Sequence, residues 1–211
     1  MSRPLTRRER HTAEVRASIV TAAKEVLIER GATALTLDAV SERADVAIQT
    51  IYNRVGNRAD LLRAVAETAF EQNHVYLDEV LSASTDGLSA FDRLRRAFAA
   101  YTRFASERPF EFRMLAHPPV DDVEVVRRTQ ELADGQSRKL ADILRQGIKE
   151  GEFNPELDPD VTATALWAMG NGVLELQWRN GAYQLNNTST LTTAVLEAFV
   201  TIIQSGITNS D

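Results

Sequence analysis

The chain has no cysteine in 211 residues. Disulfides, thiolate metal sites and thiol redox sensing are therefore excluded together. Histidine is nearly as scarce: His11, His74 and His117 are scattered, and no two stand at metal-ligand spacing. Also missing are a glycine-rich phosphate loop, a nucleophile elbow and an H-E-x-x-H pair. No stretch approaches the roughly 18 consecutive apolar residues that a membrane helix needs. The opening MSRPLTRRERHTAEV has no apolar segment behind its basic residues. These absences predict a cytoplasmic protein with no membrane partner, no metal and no cofactor. The best case for an enzyme is His117 with Asp121, Asp122 and Glu124 as a metal or acid-base cluster. Without a second histidine in reach, the expectation is that the chain is not an enzyme.

What is present is an ordinary globular composition, 44% apolar and 26% charged. The net charge of −6 is unevenly spread. Through Arg63 there are 11 Lys and Arg against 8 Asp and Glu, a balance of +3; the remainder holds 13 against 22, a balance of −9. A basic head on an acidic body suits a protein that presents one face to phosphates. Arg3, Arg7, Arg8 and Arg10 precede the first predicted helix, either as a flexible arm near a DNA backbone or as a merely solvating tail.

Apolar residues recur at helical spacing throughout, and no segment alternates as a strand does, so the predicted class is all-α with about nine helices. The first runs from Ala13 to Arg30 and stops at Gly31. Thr36 is placed as an N-cap before Leu37, Val40 and Ala44, giving a short helix to about Arg43. Asp45 falls where a sharp turn needs positive φ, and Val46 would plug that turn into the core. A second short helix begins at Ile48, with Ile51 and Val55 inward and Gln49, Thr50, Asn53 and Arg54 outward. Such a face suits the major groove, where Gln pairs with adenine, Arg with guanine, and a Thr methyl touches thymine. Gly56-Asn57 ends the helix, and Arg58 opens the next, where it and the helix N-terminus can meet a phosphate. The alternative is a plain surface turn between two core helices.

The run TLDAVSERADVAIQTIYNRVGNRADLL, Thr36 to Leu62, resembles the N-terminal pattern of the TetR family of regulators. Thr36, Val40, Ala44, Val46, Thr50, Tyr52, Arg58 and Leu61 fall on its positions or conservative equivalents. The departures are Asp45 for Gly, Ala47 for Ser, Arg54 for His and Val55 for Phe. The resemblance implies a three-helix DNA-binding domain over 1–58 and a helical effector-binding and dimerisation domain over 59–211. The DNA-facing set is then Thr36, Ile48, Gln49, Thr50, Tyr52, Asn53, Arg54 and Arg58.

In the second domain, helices are predicted over Ala59 to Leu81, around Leu94, Phe98, Tyr101 and Ala105 to before Pro109, over Pro109 to Leu115, from the acidic opening Asp121, Asp122 and Glu124 to about Glu150, and over Asp160 to Asn180 and Ser189 to Gln204. Trp167 to Gly172 is similar to a W-x-x-x-H-G signature of the family's sensor half, with Asn171 in place of His. The implied effector pocket gathers Tyr101, Phe104, Phe112, Met114, His117, Trp167 and Asn171. Ala165, Ala168 and Gly172 on one helix, and Leu191, Val195, Ala198, Phe199 and Ile202 on the next, are expected at a homodimer seam. The functional expectation is a repressor released from a palindromic DNA operator by a small, mainly apolar molecule. An activator of the same fold and a purely structural helical dimer are the alternatives.

Overall fold

The computed structural model describes residues 6–82, 87–118, 122–176 and 190–208, without the side chains of 79 and 190–193. Arg3, Asp121, the Leu191 side chain, and Asn180 and Ser189 as helix ends lie outside the described residues. Among those described there are ten α-helices and no strand, so the all-α expectation holds. The packing separates into two compact units. One takes the chain to Glu71 with the short stretch Pro119–Val125, and the other takes the rest.

In the first unit, α1 covers Arg7–Arg30 and starts earlier than predicted. Thr6 accepts from the Glu9 amide at 3.2 Å while the Glu9 carboxylate accepts from the Thr6 amide at 2.7 Å. This reciprocal capping box makes Arg7, Arg8 and Arg10 helical, which corrects the flexible-arm reading. α1 buries Ile19, Ala22, Ala23, Val26 and Leu27 on one face. α2, Leu37–Ala44, begins at Thr36, whose hydroxyl accepts from the Ala39 amide at 3.1 Å. α3 spans Ile48–Arg54 and buries Ile51. α4, Arg58–Asn73, carries Leu61, Leu62, Val65 and Ala66 into this unit's core. That burial is why the packing division falls inside α4 and not at its start.

Gly56 must be glycine for two independent reasons. Its φ is +124°, and a Cβ there would lie 2.2 Å from the Asp60 carboxylate. Asp60 is fixed in place because it accepts from the Asn57 amide at 2.9 Å, while Asn57 Oδ1 caps α4 by accepting from Ala59 and Asp60. Arg58 then reaches back, its Nε donating to the Leu35 carbonyl at 2.8 Å and its Nη2 to that of Ala32 at 2.7 Å.

In the second unit the helix predicted over Ala59 to Leu81 is broken by a π-helical turn at His74–Asp78, leaving α5 as Glu79–Ser82. This interruption accounts for ten helices where about nine were expected. α6 covers Ala90–Glu107, α7 Pro109–Ala116, α8 Val123–Lys149, α9 Pro159–Glu175 and α10 Thr190–Ile207. One apolar cluster gathers Leu94 of α6, Ile143 and Leu144 of α8, Phe153, Ala163 of α9 and Ile207 of α10. Phe153 seats its ring so close to Gly147 that a Cβ there would lie 2.3 Å away. The Asn154 amide donates to the Ile207 carbonyl at 2.9 Å, fixing the end of α10 against the turn after α8.

Arg58→Ala is expected to lower stability by about 1–2 kcal/mol, because two carbonyls lose a charged donor. Gly56→Ala is expected to cost about 1–3 kcal/mol through backbone strain and the Asp60 clash. Thermal unfolding of each purified variant measures this, and a midpoint equal to that of the parent would contradict the account.

Candidate functional site

The first candidate site is the outer face of α3. The turn before it is made by Asp45, the only non-glycine residue with positive φ among those described, at φ 52° and ψ 49°. The turn is closed from both sides: the Val46 amide donates to the Ser41 carbonyl at 3.2 Å, and the Ser41 hydroxyl donates to the Val46 carbonyl at 2.6 Å. Val46 itself is half-buried, and Val55, at the end of α3, is half-buried too. Arg43 anchors α2 to α1 through Glu25 at 3.1 Å and Glu29. The Arg43 hydrogen bond holds the Glu29 carboxyl below its ordinary pKa, so this tie weakens in acid.

With Ile51 fully buried, the opposite face of α3 is presented to solvent. Gln49, Tyr52, Asn53 and Arg54 are exposed and Thr50 is half-buried, while Ile48 lies at the edge of the face. Gln49 Nε2 donates to Asn53 Oδ1 at 3.1 Å, one helical turn apart. Ala47 gives no side-chain cap, so the amides opening α3 are not taken by a hydroxyl. Thr36 spends its hydroxyl as the α2 cap, and the Arg58 fork is bound to two carbonyls of its own unit.

The second candidate site is a cavity of about 90 Å³ inside the helical unit. Its wall takes Leu77 from the π-helical turn, Phe98 and Tyr101 from α6, Leu140 from α8, Trp167 and Gly170 from α9, and Phe199 and Ile203 from α10. The Phe98 and Phe199 rings stand 4.7 Å apart, tilted by 38°. Of the pocket residues expected from sequence, Tyr101 and Trp167 line this cavity. Asn171 sits behind the wall, accepting the Tyr101 hydroxyl proton at 2.6 Å. Burial pushes the Tyr101 phenol well above its ordinary pKa, so it stays a neutral donor.

The other expected pocket residues go elsewhere. Phe104 and Phe112 are fully buried in a separate cluster with Leu174, their rings 6.2 Å apart. Met114 is half-buried on α7 and does not line the cavity. His117 is exposed at the end of α7, where its Nε2 lies 3.2 Å from Glu175. Asp122 accepts instead from the Glu124 and Val125 amides and pairs with Arg63 at 2.9 Å. The described residues hold no group of three potential metal-ligating side chains.

The expected dimer seam divides in two. Ala165, Ala168, Gly172 and Ala198 are exposed, Val195 is half-buried, and Ile202 is 69% exposed. Phe199 is a correction: it stacks on Phe98 and lines the cavity, on the inner side of α10. Val161 and Met169, 67% and 44% exposed, extend the apolar face of α9 and were not picked out by the small-residue pattern. Among the described residues, no helix is long and apolar enough to cross a membrane.

Two family patterns match the chain. "Bacterial regulatory proteins, tetR family" covers residues 19–65, and "Tetracyclin repressor-like, C-terminal domain" covers residues 87–178. The HTH-type transcriptional regulator TtgR of Pseudomonas putida is 27% identical over 183 residues, which is 81% of this chain and 83% of that protein. The ketosteroid transcriptional regulator KstR2 of Mycobacterium tuberculosis shares the fold with a TM-score of 0.65, at 17% identity over 92% of this chain and 95% of its own. The MbdR regulator from Azoarcus sp. CIB does so with a TM-score of 0.71, at 19% identity over 88% and 97%. With its reading helices matched by one pattern of the family and its helical unit by the other, the chain belongs to the TetR family of transcriptional regulators.

Proposed function

We propose that the chain works as a homodimeric repressor whose α3 helices read a palindromic operator and release it when a small molecule occupies the cavity. The observation that carries this reading is the outward face of α3. Its exposed Gln49, Tyr52, Asn53 and Arg54 are unneeded by the core, which Ile51 serves from the other side. Residues 1–58 form the DNA-reading domain, with Ile48, Gln49, Thr50, Tyr52, Asn53 and Arg54 toward the bases. Thr36 and Arg58 lie at the phosphates, Arg58 through Nη1, which donates to neither Leu35 nor Ala32. Residues 59–211 hold the effector and the partner subunit.

A dimer is favoured by the exposed apolar face on α9 and α10, where Val161, Ala165, Ala168, Met169 and Gly172 recur at helical spacing, joined by Ala198 and Ile202. Two reading helices engage only when their separation is close to one turn of DNA, roughly 34 Å. A ligand that fits one arrangement of α4 better than another shifts that balance by its differential affinity, and by no more.

Electrophoretic shift of the DNA upstream of this protein's own gene tests the reading, with retardation expected at nanomolar protein and none with an unrelated duplex. Gln49→Ala and Arg54→Ala should each relax preference at individual base positions by roughly 1–3 kcal/mol. Specificity unaltered in both variants would end the assignment of α3 as the reader.

Gly172→Leu bears on the dimer. Nothing lies within 4 Å of a Cβ at that position, so the protomer tolerates the change. At a close helix seam between subunits the same side chain overpacks, by roughly 1–3 kcal/mol. The expected result is a folded, monomer-shifted protein in sedimentation, with much weaker operator binding. A dimer with parental affinity would mean that the seam uses another face.

A further inference from the structure

We propose that the cavity takes a neutral, single-ring aromatic hydrocarbon, with no charged or hydrogen-bonding group inside it; this rests on reading the cavity as the effector site. The proposal comes from what the wall offers and what it withholds. Aromatic rings approach from three helices, Phe91, Phe98 and Tyr101 from α6, Trp167 from α9 and Phe199 from α10. Edge-to-face and offset packing against such rings favours a flat aromatic guest. Gly170 leaves room beside Phe98, since even a Cβ there would be 3.6 Å from the ring.

Three polar side chains of the lining make hydrogen bonds elsewhere. The Tyr101 hydroxyl donates to Asn171 at 2.6 Å. The Gln136 amide nitrogen donates to the buried Asn73 at 2.5 Å. Arg95 stands at the rim, exposed, with its guanidinium donating to Asp92 at 2.8 Å. The wall facing the cavity is almost wholly hydrocarbon, so a guest hydroxyl would find at most the remaining lone pair of the Tyr101 oxygen and the Trp167 indole N–H in place of its water partners. A guest carboxylate seated among the rings would bury its charge in hydrocarbon.

Size narrows the class further. An apolar cavity of about 150 Å³ holds benzene, and the 90 Å³ here is smaller, so one ring is the most it takes within its walls, and then only with side-chain adjustment.

The test is a para-substituted series of one ring, toluene, p-cresol and p-toluate, titrated calorimetrically into the full-length protein and its Ala97→Leu variant. Ala97 lines the cavity and is buried, so the larger side chain fills the space from within. Toluene is expected to bind about tenfold more tightly than p-cresol, with p-toluate at least tenfold weaker again. Ala97→Leu is expected to abolish toluene binding while keeping or raising the thermal midpoint. If p-cresol or p-toluate binds as tightly as toluene and Ala97→Leu blocks it, the hydrocarbon class is wrong and the effector site stands. If no member binds, the hydrocarbon class is wrong and the effector reading is left to other guests; if binding survives Ala97→Leu in a folded protein, the guest sits outside the cavity and both fall.

Discussion

One backbone turn sets the direction of α3 and the face it presents to solvent. Asp45 in the left-handed conformation, clamped by the two Ser41–Val46 hydrogen bonds, fixes the direction in which α3 leaves α2. The Arg43 bridge to Glu25 and Glu29 fixes α2 on α1. Ile51 then has one way to be buried, and the residues opposite it have one way to be exposed. A left-handed residue other than glycine costs stability, of the order of 1 kcal/mol, and Asp bears this better than most side chains. The exposed face of α3 is thus a consequence of turn chemistry and a single buried isoleucine, before any partner is considered.

The second unit follows a different rule. Its helices are held by apolar clusters and a few buried polar pairs, among them Asn73 with Gln136 and Tyr101 with Asn171. These pairs matter because they take polar groups out of the cavity wall and leave hydrocarbon there. A buried hydrogen bond of this kind adds little net stability, about 1 kcal/mol, but leaving either member alone would cost more.

Much of this was legible in the sequence, and the reasons differ by element. Thr36, Asp45 and Gly56 carry local chemistry that specifies a cap, a turn and a break, so α2, the turn and α3 could be placed within a residue or so. The capping box at Thr6 is equally local, a Thr with Glu three residues on, although its helix starts inside a basic run that also suits an unstructured arm. The π-helical turn was not legible. It is accompanied by bonds to distant residues, Asn73 to Gln136, Tyr76 to Glu107 and Asp78 to Lys139, which no pattern within α4 reveals. The same limit applies to the cavity. Periodicity marks Phe98, Tyr101, Phe104 and Phe199 alike as apolar, but whether a ring closes a core, as Phe104 does, or borders a hole, as Phe98 does, depends on its neighbours' volumes. Arg58 shows the converse, where a guanidinium read as a phosphate contact is bound in part by two carbonyls of its own unit.

The central claim is that α3 reads DNA as one of a symmetric pair. Selection of binding duplexes from a random pool by the full-length protein, followed by sequencing of the enriched pool, tests it most directly. The account predicts enrichment of an inverted repeat whose half-sites are centred about one helical turn apart. Enrichment of a single unrepeated site, or no enrichment above the starting pool, would contradict it.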